Sequence, residues 1–405
     1  MVDWLYIDFN SYFASCEQQD HPKLRGKPIA VVPMMADSTS CLAASYEAKA
    51  FGVRTGTKVG EAKKMCPGLI LVPSRHATYT RYHHRAIEVI DSCLPIHRVC
   101  SIDEMCCELT GSHKRLEIAQ EQSQKIKRTL TEKLGVSLTV SIGLGPNMLL
   151  AKMAADMQKP NGLTWIEKEE LPQKLFSLRP RDIPGIGPKM EWRLAQQGIT
   201  TMEQLLSLNE RQMRGLWKSV VGARYFRLLK GESFRPETES EQKSISHEHV
   251  LPPRERDYTS AGIILQKLLV KAAQRLRRGK WMTKRMSMYV RFINGTKWKF
   301  EVSFHETQDT SLMISHLIKS YKNCPRQVKP IKVGVALFDF SPESAHQLSF
   351  FEDGKRNSFF KIIDQINDKY GKDTVHLASL HDHISSARTH IAFSRIPELD
   401  ELEDN

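Results

Sequence analysis

The chain has 405 residues and a formal net charge of +13, with 40% hydrophobic and 26% charged residues. That length allows two to four domains at roughly 100–200 residues each. No apolar run approaches the roughly 18 residues a membrane-spanning helix needs, and the start, Met1-Val2-Asp3-Trp4, lacks the basic-then-apolar pattern of a signal peptide, so neither a membrane nor a secreted protein is expected.

Eight scattered cysteines form no C-x-x-C pair, which argues against a structural zinc site and a secreted disulfide framework; reduced thiols of a cytosolic protein are expected. The last residues, Glu398 to Asn405, are acidic, so the body is more basic than the total implies. Nucleic acid is the partner such an excess points to, with plain solvated surface charge as the alternative.

In chain order, residues 3–8 read as a strand followed by a helix over 11–18, and 28–33 reads as a second strand. Helices are expected over 42–51, ended by Gly52, and over 76–94, stopped by Pro95. His97 to Leu109 is strand-like on both sides of Asp103-Glu104, a polar helix spans 115–134, and 138–144 alternates as a half-buried strand does. Pro146-Asn147 opens a helix to about Met157, so this part predicts an α+β layer with one sheet. Residues 166–235 lose the strand signal and become helical, and Glu232 to Ser244 reads as a linker.

A second α+β unit follows over about 245–340. Its helix, 262–278, gathers Ile264, Leu268, Ala272 and Leu276 on one face and Lys267, Lys271, Arg275 and Arg278 on another. In the strand 285–292, Met286, Met288, Val290 and Phe292 oppose Arg285, Ser287, Tyr289 and Arg291. In the strand 297–304, Trp298, Phe300, Val302 and Phe304 oppose Lys297, Lys299, Glu301 and Ser303. A period of two makes this a sheet with an apolar back and a largely basic front, able to follow a phosphate backbone without reading bases. A helix over about 355–370 and a polar end complete the chain.

Three acids stand at strand ends: Asp8, and the adjacent pair Asp103 and Glu104. Neighbours on a straight strand point to opposite faces, so the pair serves one site only where the chain turns or bulges, as near a hairpin tip. A strand-end Asp by itself is usually a cap or a surface residue. Three carboxylates beside a strand, in a basic chain, are hard oxygen ligands suited to Mg²⁺ and to phosphoryl displacement.

Asp8-Phe9-Asn10-Ser11-Tyr12-Phe13-Ala14, Ser101-Ile102-Asp103-Glu104, and Ser141-Ile142-Gly143-Leu144 through Lys152-Met153-Ala154 to Lys159-Pro160-Asn161-Gly162 resemble, in colinear order, the signatures of Y-family translesion DNA polymerases, bacterial UmuC and DinB type. The resemblance spans about residues 3–351. It implies an α+β right-hand polymerase: palm 1–19 and 75–165, fingers 20–74, thumb 166–235, linker 236–243, little finger 244–342 and a tail 343–405. Two Mg²⁺ ions would be held by Asp8, Asp103 and Glu104 with the Phe9 carbonyl. Tyr12 and Phe13 would line the incoming dNTP, Phe13 as the steric gate against a 2′-hydroxyl. Tyr46 and Lys49 match a family Tyr-x-x-Arg that grips the triphosphate, and Lys49 can neutralise phosphate without offering the bidentate fork of arginine. Lys159 would complete those contacts, with Lys152 ranked behind it.

Ile183-Pro184-Gly185-Ile186-Gly187-Pro188 has the helix-hairpin-helix pattern, in which Gly185 and Gly187 let the backbone approach a DNA phosphate; a simple helix–helix turn is the other reading. With it, Arg285, Arg291, Lys297 and Lys299 form the expected DNA-binding set. Gln347-Leu348-Ser349-Phe350-Phe351 resembles a peptide that docks on the bacterial sliding clamp, with Gln347, Leu348, Phe350 and Phe351 as contacts and Phe350 in place of the usual Leu. The implied function is low-fidelity, low-processivity, template-directed translesion synthesis in the SOS response. The implied setting is a cytoplasmic, nucleoid-associated, monomeric polymerase subunit with primer–template DNA, dNTPs and the clamp as partners. A non-catalytic scaffold of the same family and a metal-dependent nuclease remain as alternatives.

Overall fold

The structure, a computed structural model, describes residues 1–233, 243–345, 354–384, 386, 387, 391, 396, 397, 399 and 402. The peptide 347–351, expected as a clamp contact, lies outside the described residues. The chain divides into two compact units, Met1–Glu237 with His390–Asn405, and Thr238–Thr389.

The first unit is organised on a five-stranded sheet in the order Arg98–Val99, Glu104–Glu108, Trp4–Phe9, Val140–Gly145, Leu163–Trp165. The central strand runs antiparallel to both of its neighbours, with Asp8 opposite Glu104 on one side and Ser141 on the other. Alternation sorts the two faces. Leu5, Ile7, Phe9, Met105 and Ile142 join Tyr79, Ile90, Ile126 and Leu130 in the main core, beneath the helices His76–Cys93 and Leu116–Leu134. Tyr6 and Cys106 point the other way, onto Ala151 and Ala155 of the helix Met148–Met157. That helix lies almost on the backbone of the sheet. A Cβ at Gly143 would sit 2.1 Å from the Ala151 carbonyl oxygen and 2.2 Å from the Ala155 nitrogen, so only glycine admits the approach. By the same alternation Asp8 and Glu104 emerge on the face that carries this helix.

A second, three-stranded sheet corrects the single sheet expected from the sequence. Its order is Ala43–Ala44, Ile29–Val32, Ile70–Pro73. The helix expected over 42–51 therefore begins only at Tyr46, capped by Ser45, whose Oγ accepts from the Ala48 amide. Ala43 and Ala44 pair instead with Val31 and Ala30. Alanine favours helix when judged locally, but here the ladder to a buried neighbour decides. Downstream, the helices Pro188–Ala195, Met202–Leu206, Glu210–Trp217 and Val220–Leu229 close over Ile183, Ile186, Leu194, Leu205 and Met213, as the loss of strand signal predicts.

The second unit holds a four-stranded antiparallel sheet in the order Lys297–Thr307, Trp281–Phe292, Pro330–Pro342, Ser244–Val250. Met286, Met288, Val290 and Phe292 are buried with the helices Tyr258–Arg278 and Thr310–Tyr321, so the expected apolar back is present. The polar side of the first of these helices is not simply solvated. Lys267 is 4% exposed and donates to the carbonyls of His383 and Ile384, and Arg277 pairs with Asp364 of the helix Gly354–Tyr370 at 2.6 Å.

Candidate active site

The carboxylates meet at the edge where the central strand ends and the 98–108 hairpin turns. Residues 101–103 form a bend, and Glu104 opens its strand, so the adjacent acids escape the alternation that would part them. The bend is pinned to the central strand: the Phe9 amide donates to the Asp103 carbonyl at 2.9 Å, and the Ser101 hydroxyl donates to the Asp103 carboxylate at 2.6 Å. From below, the carbonyl of Ile102 receives a hydrogen bond from His83 Nδ1 at 2.7 Å, which fixes the proton on that nitrogen. The Tyr6 hydroxyl donates to Glu104 at 2.9 Å.

Two ammonium groups sit among these acids. Lys152 Nζ bridges Asp8 and Glu104, the latter at 2.6 Å, and reaches Asp156 at 3.4 Å. Lys159 Nζ binds Asp8 at 2.7 Å and Asp156 at 2.8 Å. Burial pushes Asp8 upward, yet the two lysines outweigh it and hold the carboxyl below its ordinary range. Burial, with Asp8 and Glu104 nearby, drives Asp103 up to about 6 against the opposing Ser101 hydrogen bond. Lys152 also lowers Asp103, but less than burial raises it. Burial lowers Lys152 and Lys159, but the surrounding carboxylates raise both.

This acid cluster is one that asks for positive charge, and its all-oxygen donor set fits a divalent hard cation. With the lysine nitrogen in place, the described residues hold no ready group of three such ligands around one point.

The sequence motifs rank Lys152 behind Lys159 as a triphosphate contact; in the structure Lys152 joins Asp8 to Glu104, and Lys159 joins Asp8 to Asp156. Asp156 and Asn10 carry no role in those motifs, yet both belong to the site. Lys152 and Asp156 stand at i and i+4 on the helix Met148–Met157, and Lys159 follows just past its end, beyond Gln158. Asn10 is 2% exposed; its Oδ1 accepts from the Asn161 amide at 2.7 Å and its Nδ2 donates to Ser141 Oγ at 3.0 Å, so it ties the Lys159 turn to the strand that carries Asp8.

Lys49 and Tyr46 lie within the electrostatic reach of Asp8 and Lys159. Lys49 lies over the Tyr46 ring, 4.4 Å from its centre. Burial and the nearby Lys159 charge push Lys49 down, and burial pushes Tyr46 up although Lys159 opposes it. Two like-charged amines held close while shielded from water favour a polyanion between them. The Phe13 ring stacks on Tyr79 at 4.2 Å and 12°, and meets His76 edge-on at 6.2 Å. Tyr79 in turn donates to Glu17 at 2.7 Å, and Arg75 holds that buried carboxylate with two nitrogens. Phe13 thus rests on a rigid platform. Tyr12, expected as a substrate contact, turns its side chain into the core, where its hydroxyl donates to the Tyr79 carbonyl at 2.8 Å.

Gly185 has φ +91°, and a Cβ there would meet the Tyr225 hydroxyl at 2.2 Å; Gly187 precedes the helix Pro188–Ala195 and has open space around it. In the second unit the front of the sheet is cationic in rows. Cross-strand register aligns Lys297, Arg291 and Lys332. Lys299 is 3.7 Å from Glu301, Arg285 also pairs with Glu301, and Lys332 binds Glu248 at 2.5 Å, so the basic front is partly neutralised.

Two family profiles match the chain. The one described as the impB/mucB/samB family matches residues 7–156, and the one for that family's C-terminal domain matches residues 242–350. The DNA polymerase IV of Moorella thermoacetica is 31% identical over 385 residues, covering 92% of this chain and 95% of that protein. The DNA polymerase IV of Bacillus velezensis is 29% identical over 384 residues, covering 91% of each. Among solved structures, a Y-family DNA polymerase chimera of Dbh and Dpo4 aligns with TM-score 0.70 and 26% identity over 84% of this chain and 99% of its own. An insertion ternary complex of Dbh DNA polymerase aligns with TM-score 0.56 and 27% identity over 84% of this chain and 98% of its own. Colinear motifs, near full-length relatives and a shared α+β right-hand architecture agree: the chain belongs to the impB/mucB/samB family, the Y-family translesion DNA polymerases of UmuC and DinB type.

Proposed function

We propose that this chain is a template-directed DNA polymerase that extends primers past damaged bases with low fidelity and low processivity. The observation that carries the reading is the gathering of Asp8, Asp103 and Glu104 at one strand edge, with Lys49, Lys152 and Lys159 beside them. Asp8, Asp103, Glu104 and the Phe9 carbonyl would hold two Mg²⁺ ions, which when bound lower the pKa of the primer 3′-hydroxyl and neutralise the triphosphate. The protein's own share is placement. Lys49, Lys159 and Tyr46 bind the triphosphate, Asn10 and Asp156 set the position of Lys159, and the Phe13 ring on Tyr79 closes the space a 2′-hydroxyl needs.

The division into palm 1–19 and 75–165, fingers 20–74, thumb 166–235 and little finger 244–342 belongs to this proposal, as do the roles of Gly185, Gly187, Arg285, Arg291, Lys297 and Lys299 on DNA. So do a monomeric state, a cytoplasmic and nucleoid setting, and clamp docking through Gln347, Leu348, Phe350 and Phe351. Among the described residues no helix is long and apolar enough to cross a membrane.

Primer extension with Mg²⁺ and dNTPs on undamaged and abasic templates, wild type beside Asp103→Ala, tests the reading. Lengthening past the lesion by wild type, lost by orders of magnitude in the folded variant, supports it. Intact primer–template binding without lengthening by wild type would favour the scaffold, and metal-dependent shortening the nuclease.

A further inference from the structure

Outside the machinery above, one pair of nucleophiles has no assigned task. Cys100 and Cys106 lie on opposite arms of the hairpin that presents Asp103 and Glu104, with Arg98 opposite Cys106 and the Cys100 amide donating to the Glu104 carbonyl at 2.8 Å. Both thiols therefore project from the same face on a diagonal of the ladder, and their sulfurs are 3.9 Å apart. Cys106 is fully buried, with its sulfur 3.3 Å from Met148 Sδ, while Cys100 is half-buried and open to small oxidants. The adjacent Cys107 faces away, its thiol directed to the Leu94 carbonyl at 3.8 Å.

We infer that Cys100 and Cys106 form a redox-modification site: peroxide joins them in a disulfide that brackets both hairpin acids and slows nucleotidyl transfer. The Cys100 sulfur attacks one oxygen of hydrogen peroxide, the O–O bond breaks, and the departing hydroxide takes the Cys100 thiol proton and leaves as water, giving the sulfenic acid. The Cys106 sulfur then attacks the Cys100 sulfur. The S–O bond breaks, the S–S bond forms, and the Cys106 proton leaves with the hydroxide as a second water. The two thiols lose two electrons, and the peroxide is reduced to two waters.

The consequence follows from the ladder. Diagonal residues stand about 7–8 Å apart at Cα, whereas disulfides span about 4.4–6.8 Å, so the arms must draw together as the sulfurs close from 3.9 Å. Asp103 and Glu104 lie inside the ring so formed. Glu104 is tied to Cys100 through its carbonyl and to Tyr6 through its carboxylate. A displacement of about 1 Å at reacting groups costs on the order of a hundredfold in rate.

The test treats the reduced full-length chain with hydrogen peroxide, blocks the remaining thiols with iodoacetamide and maps the peptides by mass spectrometry. A Cys100–Cys106 cross-link, loss of two titratable thiols, and a fall in extension of roughly a hundredfold that dithiothreitol reverses are expected. Cys100→Ser and Cys106→Ala should each abolish both the cross-link and the peroxide sensitivity. A Cys100–Cys107 link, sulfinic acid on Cys100 without a cross-link, or equal loss of extension in Cys100→Ser would overturn the inference. Only the extension arm rests on the proposed polymerase activity; the cross-link is read independently of it.

Discussion

Removing the Lys152 ammonium tests the charge logic of the site without relying on catalysis. Its Nζ bridges Asp8 and Glu104 with the side chain only 15% exposed, so Lys152→Met preserves bulk and strips one cation from two shielded carboxylates. Breaking such a buried pair costs about 3–5 kcal/mol, and Lys159, which still holds Asp8 at 2.7 Å, keeps the expected loss near the lower figure. For a unit of this size about 3 kcal/mol corresponds to a fall of roughly 6–12 °C in Tm. Magnesium reverses the comparison. On the proposed metal role of these acids, Mg²⁺ competes with the Lys152 ammonium in the wild type and not in the variant, so added Mg²⁺ should raise the variant's Tm more than the wild type's. Thermal denaturation with EDTA and then with millimolar Mg²⁺ reads both effects. An unchanged metal-free Tm, or an equal Mg²⁺ shift in the two proteins, would refute the view that Lys152 stands in for the metal.

Phe13→Ala should raise ribonucleotide insertion while dNTP insertion persists, because in the proposed gate role the ring stacked on Tyr79 would fill the space beneath the sugar; single-nucleotide insertion with matched rNTP and dNTP measures it, and unchanged selectivity removes Phe13 from the gate. Burial, with His84 beside it, pushes His83 down to about 4. Between about pH 4 and 6.5 the unfolded chain then binds a proton that the folded chain does not, so stability should fall by about 3 kcal/mol as pH drops through that window, with no further loss from this group below it. Urea midpoints across that range should show the slope in wild type and a flatter profile in His83→Gln; identical slopes would place the titration elsewhere. Deleting residues 347–351 should abolish clamp-stimulated synthesis and leave basal extension intact, and equal loss of both contradicts a docking role for that peptide.

Much of this protein is legible along the chain because it depends on local period and local charge. The period of two over 285–304 fixes which side of that sheet is apolar, whatever the sheet packs against. The strand-end positions of Asp8, Asp103 and Glu104 are likewise present in order and spacing alone. What folding decided are relations between distant segments. Ala43 and Ala44 carry no strand signal and become a strand because Val31 and Ala30 offer a ladder. Lys267 reads as a solvated helix lysine and is buried because residues near 383 return to cover it. Lys152 reaches Asp8 and Glu104 from a helix that the glycine at 143 lets descend onto the sheet. Cys100 and Cys106, six residues apart with no cysteine-pair motif to join them, become neighbours through hairpin register. Side-chain identity and spacing set what each segment can do; which groups share a site, and at what distance, depends on tertiary contacts whose hydrogen bonds and packing no local window contains.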